Sequence, residues 1–482
     1  MNYRLYNARI LTMEENRPIF NGEVHVRGER IVYVGETGVD ADIASADTAS
    51  ADTAYGDVTG ADTAYGEVTG FDTVYGDVNS AHADKAGIAR AGEARSRAVV
   101  WDREIDCHGN LLLPGFKNAH THSAMTLMRS HADDQPLSQW LNQQIFPVEA
   151  QMTGEDIYHL TRLAILEYLS GGITAIFEMY LTPETIAAAC RDSGMRCVQV
   201  GGINDFSAIT PARMAELYEQ LNGRDRLNRF HLGFHAEYTC QEGLLREVAG
   251  LSQHYKAPVF THLAETAAEV CGCRERHQNQ TPAVYLESLG LFDHGGGGYH
   301  CVHMTDEDLD LFQQKGLYAV TNPASNLKLA SGIAPIAAFL KKGIPVAIGT
   351  DGPASNNCLD FFREMFLVTG LAKYREADAS AVAAAKVLQM ACVNGARCMG
   401  LTESVNLSAG QLADIILLDL QQPNMQPINN PVANIVYSGT KQNVIMTMIN
   451  GRILYDRDGF HIGEDPTVIY AKANEIAARL LR

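Results

Sequence analysis

The chain changes its hydrophobic rhythm three times. Near the start, "RLYNARILTM" and "GEVHVRGERIVYVGE" alternate apolar and polar positions, the two-residue period of half-buried strands, with Gly and Asn at the turns. After residue 97 "AVVWDREIDCHGNLLLPGF" reads as more strand. Near the other end "ADIILLDL" and "VIMTMINGRILYDRDG" are strands again, the second pair joined by Asn450-Gly451. The two ends are therefore expected to form one small β-sandwich.

The middle alternates differently. Short apolar runs at 116–122, 173–179, 196–202, 229–235, 257–263, 299–304, 317–323 and 344–352 are separated by amphipathic helical stretches such as "EDIYHLTRLAILEYLSGG" and "GLLREVAGLSQHY". Eight such units over about 240 residues match the size of a parallel (β/α)8 barrel of TIM type, an α/β fold. A doubly wound open sheet would show a glycine-rich phosphate turn after an early strand, and none is present. The expected organisation is a small β-domain from 1–114, a barrel from 115–403, and the rest of the β-domain with a terminal helix from 404–482.

Between the first strands lies a repeat, "ADTAYGDVTG", "ADTAYGEVTG", "FDTVYGDVNS", over 51–80. A calcium-binding β-roll would need a glycine-rich nonapeptide, which is not matched, so 41–90 is read as a low-complexity surface insertion in the β-domain. Residues 37–80 hold nine acidic residues and no Lys or Arg, so much of the net charge of −19 is local. The charge argues against a nucleic-acid partner. With 46% apolar and 20% charged residues, the composition is that of a soluble globular protein. No apolar run reaches bilayer length and the N-terminus lacks a signal-peptide core, so no membrane association and a cytoplasmic address are expected. Ten cysteines then read as reduced thiols.

Candidate chemistry sits where the apolar runs end. His120 and His122 flank Thr121 at the end of the first run and share one face of a strand. His235 ends the fourth, His262 the fifth, His303 the sixth and Asp351 the eighth. In a barrel the strand C-termini form the catalytic face. A lone strand-end histidine is more often a hydrogen-bonded structural residue, but these together on one rim point to a metal site. His120, His122 and His262 would supply nitrogens and Asp351 an oxygen, leaving a position open for water. That donor set suits one divalent cation per chain, Zn²⁺ in the first place and Fe²⁺ in the second. No lysine stands at the end of the fourth run to bridge two metals. Glu265, three residues after His262, is placed to move protons without being a ligand, the role a non-ligand Glu fills in zinc deaminases.

Taken with these residues, "PGFKNAHTHSAMTLMRS", "WLNQQIFPVEA", "GFHAEYT", "THLAETAAEV", "HCVHMTDEDL", "NPASNLKLASG" and "GTDGPASNN" resemble the amidohydrolase superfamily, and within it the 5'-methylthioadenosine/S-adenosylhomocysteine deaminases. The resemblance spans about 100 to 450, and the repeat departs from it. It implies a metal-dependent deaminase acting on a purine nucleoside, with His120, His122, His262 and Asp351 as ligands, Glu265 as proton shuttle and His303 orienting the attacking water. It implies Glu149 as acceptor of the ribose hydroxyls, His235 and Ser355 as further substrate contacts, and Arg213 as the candidate for holding the substrate tail. Assembly into a homo-oligomer is left open. The rivals are a same-fold hydrolase of guanine or a triazine, which has no ribose for Glu149 to bind, and a non-catalytic binding protein stabilised by its metal.

Overall fold

The computed structural model describes residues 1–37, 100–223 and 225–481; the repeats at 51–80 and the insertion 41–90 lie outside the described residues. In the middle of the chain the alternating pattern becomes eight parallel strands: Phe116–Thr121, Ile173–Glu178, Arg196–Val200, Asn228–Ala236, Val259–Leu263, Gly296–His300, Tyr318–Thr321 and Val346–Ile348. They hydrogen-bond in sequence order. Just past the eighth strand, the amides of Thr350 and Asp351 both donate to the carbonyl oxygen of His120, at 3.1 and 3.0 Å, bringing the last strand back to the first. Asn118 reinforces the seam: its Nδ2 donates to Thr350 Oγ1 at 2.7 Å, and its Oδ1 accepts from the Thr350 amide at 2.9 Å.

Residue alternation divides each strand between two cores. Ala175, Phe177, Val198, Val200, Phe260 and Tyr299 pack together as one buried cluster, the filling of the barrel. Their neighbours Ile176, Cys197 and Val259 join the larger cluster made with the surrounding helices. The helix Gly154–Ser170 follows a capping box in which the Thr153 amide donates to Asp156 and the Asp156 amide to Thr153 Oγ1.

The sixth strand differs from its expected place. It runs Gly296–His300 rather than over 299–304. A glycine run has no strand propensity, but here backbone crowding demands it. A Cβ on Gly296 would lie 1.9 Å from the Val259 carbonyl oxygen, and one on Gly297 2.2 Å from that of Tyr318. The shift moves the strand's end from His303 to His300.

The chain ends meet in a second, mixed sheet of nine strands among the described residues. Leu111–Pro114 joins the two contributions, pairing parallel with Asn2–Ile10 and antiparallel with Ile415–Leu418. A buried ion pair ties this sheet to the barrel: Arg196, on the third barrel strand, donates through Nε to Asp414 Oδ2 at 2.6 Å. Opposed charge there outweighs burial and holds the Asp414 carboxyl down at about 2. Among the described residues no helix is long and apolar enough to cross a membrane.

Candidate active site

Three imidazoles and a carboxylate converge at the C-terminal rim of the barrel. His120 lies at the end of the first strand with neither ring nitrogen hydrogen-bonded, though the side chain is fully buried. Its ring stacks on Tyr299 at a centroid distance of 3.8 Å. His122 turns its Nδ1 to the Met179 carbonyl oxygen, and His262 turns its own to the His235 carbonyl oxygen at 2.7 Å. A carbonyl only accepts, so in each neutral ring the proton sits on Nδ1 and the Nε2 lone pair faces inward. The two Nε2 atoms stand 3.4 Å apart. Asp351 Oδ1 lies 3.5 Å from the Nε2 of His120 and 3.2 Å from that of His122. Its Oδ2 accepts the hydroxyls of Ser325 at 2.6 Å and Ser355 at 2.8 Å, which fixes the carboxylate's other edge toward the imidazoles.

Electrostatics follow from this crowding. Burial drives His120 down to about 3 and His262 well below its ordinary range. Burial also opposes charge on His122, but Asp351 overrides it and lifts that imidazole to about 9. Asp351, despite burial, is held well below the usual carboxylate range by His120 and His122. Buried nitrogens without partners are costly unless something fills the gap between them. A divalent cation does so, and the nitrogen and oxygen donors of His120, His122, His262 and Asp351 fit zinc or iron(II). Asp351 also has φ of +59°, left-handed backbone rare outside glycine, as have Ala264 at +49° and His300 at +72°. Such conformations gather where side chains must be aimed against local preference.

His300, not His303, takes the sixth-strand position at the site. Its Nδ1 donates to Asn326 Oδ1 at 2.7 Å, and its Nε2 faces Glu265 Oε2 at 3.9 Å. His303 lies three residues further on and outside the pocket lining, its Nε2 committed to the Ser331 carbonyl oxygen at 2.7 Å. The expectation for His303 is therefore corrected, and its cause is the displaced sixth strand.

Glu265 is buried and opens into the same pocket. Its Oε1 accepts from Ser331 Oγ at 3.1 Å. The Glu269 carboxylate holds the backbone beneath it, accepting the amides of Ala264 at 2.7 Å and Glu265 at 2.8 Å. Burial raises the Glu265 carboxyl above its ordinary value, with His300 opposing.

The pocket extends outward past Glu149, delivered by an irregular segment: a π-helical turn Trp140–Ile145 followed by Phe146–Glu149. Glu149 Oε1 is buried without a hydrogen-bond partner, and burial lifts the carboxyl to about 7 against the pull of the Tyr180 hydroxyl. His235 also lines the pocket, its Nδ1 3.0 Å from Thr239 Oγ1, and burial lowers it to about 4. Ser355 lines the wall, but its hydroxyl is spent on Asp351. Arg213 is not brought to the site. It begins the helix Pro211–Leu221, faces solvent and pairs with Glu184 and Glu216. The expectation for Arg213 is corrected on that ground.

Sequence reasoning missed Glu178. It ends the second strand, fully buried, and accepts the Ser123 amide at 2.9 Å as well as the Ser123 hydroxyl, so it anchors the turn just after His122. A carboxylate closing the apolar run "ITAIFE" was the available signal. Ser325 was missed too, and one serine among many gives no such signal.

Comparison with known proteins agrees with this geometry. Residues 111–454 match the model of the amidohydrolase family. A 5-methylthioadenosine/S-adenosylhomocysteine deaminase of Desulforamulus reducens is 40% identical over 391 residues, 80% of this chain and 90% of that protein. A 5'-deoxyadenosine deaminase of Methanothermobacter thermautotrophicus is 39% identical, over 74% of this chain and 84% of its own. The crystal structure of an adenosine deaminase from Xanthomonas campestris with bound zinc superposes with a TM-score of 0.82 at 29% identity, covering 99% of this chain and 98% of that one. Barrel, rim and sequence together make this chain a member of the amidohydrolase family.

Proposed function

We propose that the chain is a metal-dependent deaminase that removes the 6-amino group of 5'-substituted adenosines with water, giving the inosine analogue and ammonia. The observation that carries this reading is Glu265, a buried carboxyl of raised pKa opening into the same pocket as the imidazole cluster. The names of the relatives, deaminases of 5-methylthioadenosine, S-adenosylhomocysteine and 5'-deoxyadenosine, support the substrate class.

His120, His122, His262 and Asp351 would hold one divalent cation, zinc in the first place, with iron(II) the alternative. When bound, such a cation supplies Lewis acidity that makes water a nucleophile near neutral pH. Asp351 and His300 orient the water. Glu265, protonated, gives its proton to ring nitrogen 1, which makes carbon 6 electrophilic. It then takes a proton from the adding water and passes it to the amine, which leaves as ammonia, and the proton of the new hydroxyl returns to Glu265 as the carbon 6 carbonyl forms. Glu149 accepts the ribose hydroxyls, since a carboxylate accepts and does not donate. His235 contacts the substrate beside it. In this reading 115–403 carries the chemistry, and the segments 1–114 and 404–482 complete the β-domain behind it.

The test is ammonia release from a panel of adenosine, 5'-methylthioadenosine, S-adenosylhomocysteine, adenine and guanine. Adenosines should react and free bases should not. Faster turnover of guanine than of every adenosine would overturn the substrate class.

A further inference from the structure

The pocket has a direction. His262, Glu265 and Asp351, at its inner end, are buried, whereas Phe146, Leu181 and Tyr238 on its lining are 36%, 37% and 40% exposed and mark the mouth. In an adenosine, carbon 6 and the 5' carbon lie at opposite ends of the molecule. A nucleoside with carbon 6 beside the cluster and its ribose at Glu149 therefore sends its 5' substituent to this mouth.

The chemistry of the mouth is uniform. Among the described residues, no Lys or Arg lines the pocket. Arg213 is tied to Glu184 and Glu216, and Lys328 to Asp133, Asn357 and the Ala354 carbonyl oxygen. The neutral polar groups are partly committed as well. Asn204 Oδ1 accepts the Phe206 amide at 2.9 Å and Ser207 Oγ accepts the Ile209 amide at 3.0 Å. Leu181 and Ile209 add apolar lining. Phe206, between Asn204 and Ser207, leaves its ring 89% exposed.

Resting on the deaminase reading, we infer that this outer subsite selects an uncharged, apolar 5' substituent, such as methyl or alkylthio, over a zwitterionic amino-acid tail. An alkylthio group loses little on leaving water for an apolar wall. An ammonium and a carboxylate give up part of their hydration against the same wall, and the carboxylate finds no cation to offset it. A site built this way discriminates through unpaired polar groups on the ligand, not through a clash.

Steady-state kinetics on four adenosines tests this: adenosine, 5'-methylthioadenosine, S-adenosylhomocysteine, and S-adenosylhomocysteine with its tail acetylated on nitrogen and esterified. kcat/KM for the methylthio compound should exceed that for S-adenosylhomocysteine by about tenfold or more, mostly through KM, because the tail is remote from the reacting atoms. The masked tail, longer but uncharged, should recover most of the gap. Ile209→Arg, which brings a guanidinium to the mouth, should narrow it. Equal or better turnover of S-adenosylhomocysteine would overturn the inference, as would a masked tail no better than the zwitterion. Failure to deaminate any of the four adenosines would instead sink the deaminase reading on which the inference rests.

Discussion

His122 and His262, separated by 140 positions in the chain, bring their Nε2 atoms to 3.4 Å of one another. Each ring donates through Nδ1 to a backbone carbonyl, so in the neutral rings both Nε2 atoms present lone pairs. Two lone pairs at that distance repel unless a proton or a metal cation lies between them. Metal-replete protein should hold about one zinc or iron per chain, and His262→Ala should lose it. Elemental analysis after gel filtration checks both, and two tightly held metals per chain would contradict the single-site reading.

Metal uptake should release a proton. In the metal-free protein His122 titrates at about 9, with Asp351 lifting it against burial, whereas His120 is already neutral near pH 7 because burial holds it at about 3. A ligand imidazole must be neutral, so below pH 9 the cation has to displace the His122 proton. Affinity should fall about tenfold for each pH unit between 8 and 6, and level off above 9. Calorimetry in buffers of different ionisation enthalpy should count close to one proton released at pH 7.5, and a count of zero would refute the assignment.

Glu265→Gln should keep the metal and lose turnover. The amide still meets the Ser331 hydroxyl, but it has no proton to hand to ring nitrogen 1. A loss of about 10²- to 10⁴-fold in kcat is expected for removing a general acid and base. Metal content measured beside kcat separates this from a ligand defect. A variant as metal-poor as His262→Ala would show that Glu265 binds the ion instead.

Glu149→Gln should discriminate between nucleosides and free bases. The Oε1 of Glu149 is buried without a partner, an acceptor suited to a ribose hydroxyl. Losing a charge-assisted hydrogen bond should lower kcat/KM for adenosine by about 1.5–3 kcal/mol. Adenine, lacking ribose, should react poorly and equally with both forms. An equal loss on nucleosides and bases would remove Glu149 from the ribose.

Much of this was legible from rhythm alone. The eight barrel strands announce themselves as apolar runs between amphipathic helices, and His120, His122, His262 and Asp351 stand at the run ends where a barrel puts its rim. The misplaced sixth strand has a physical root of its own. Gly296 and Gly297 form strand because neighbouring backbones approach too closely for any side chain, a reason that exists only in three dimensions. Reading that strand three residues late put His303 where His300 stands. Arg213 failed differently: nothing local says that a helix-start arginine will find Glu184 before it finds a ligand. Glu178 was visible as a charge within an apolar run, but its partner Ser123 lies 55 residues away.

The seam at His120 has a consequence for how the protein is made. The carbonyl oxygen that receives Thr350 and Asp351 belongs to the residue whose ring faces the Asp351 carboxylate, so one residue pair both shuts the cylinder and completes the donor set. A nascent chain emerging from the ribosome holds the histidines long before it holds the aspartate. In the metal site proposed above, tight affinity for the ion begins only when the eighth strand docks, and an ion bound to the finished state alone would pull folding forward by mass action. Cells starved of the metal should accumulate chains that stall before that last docking step.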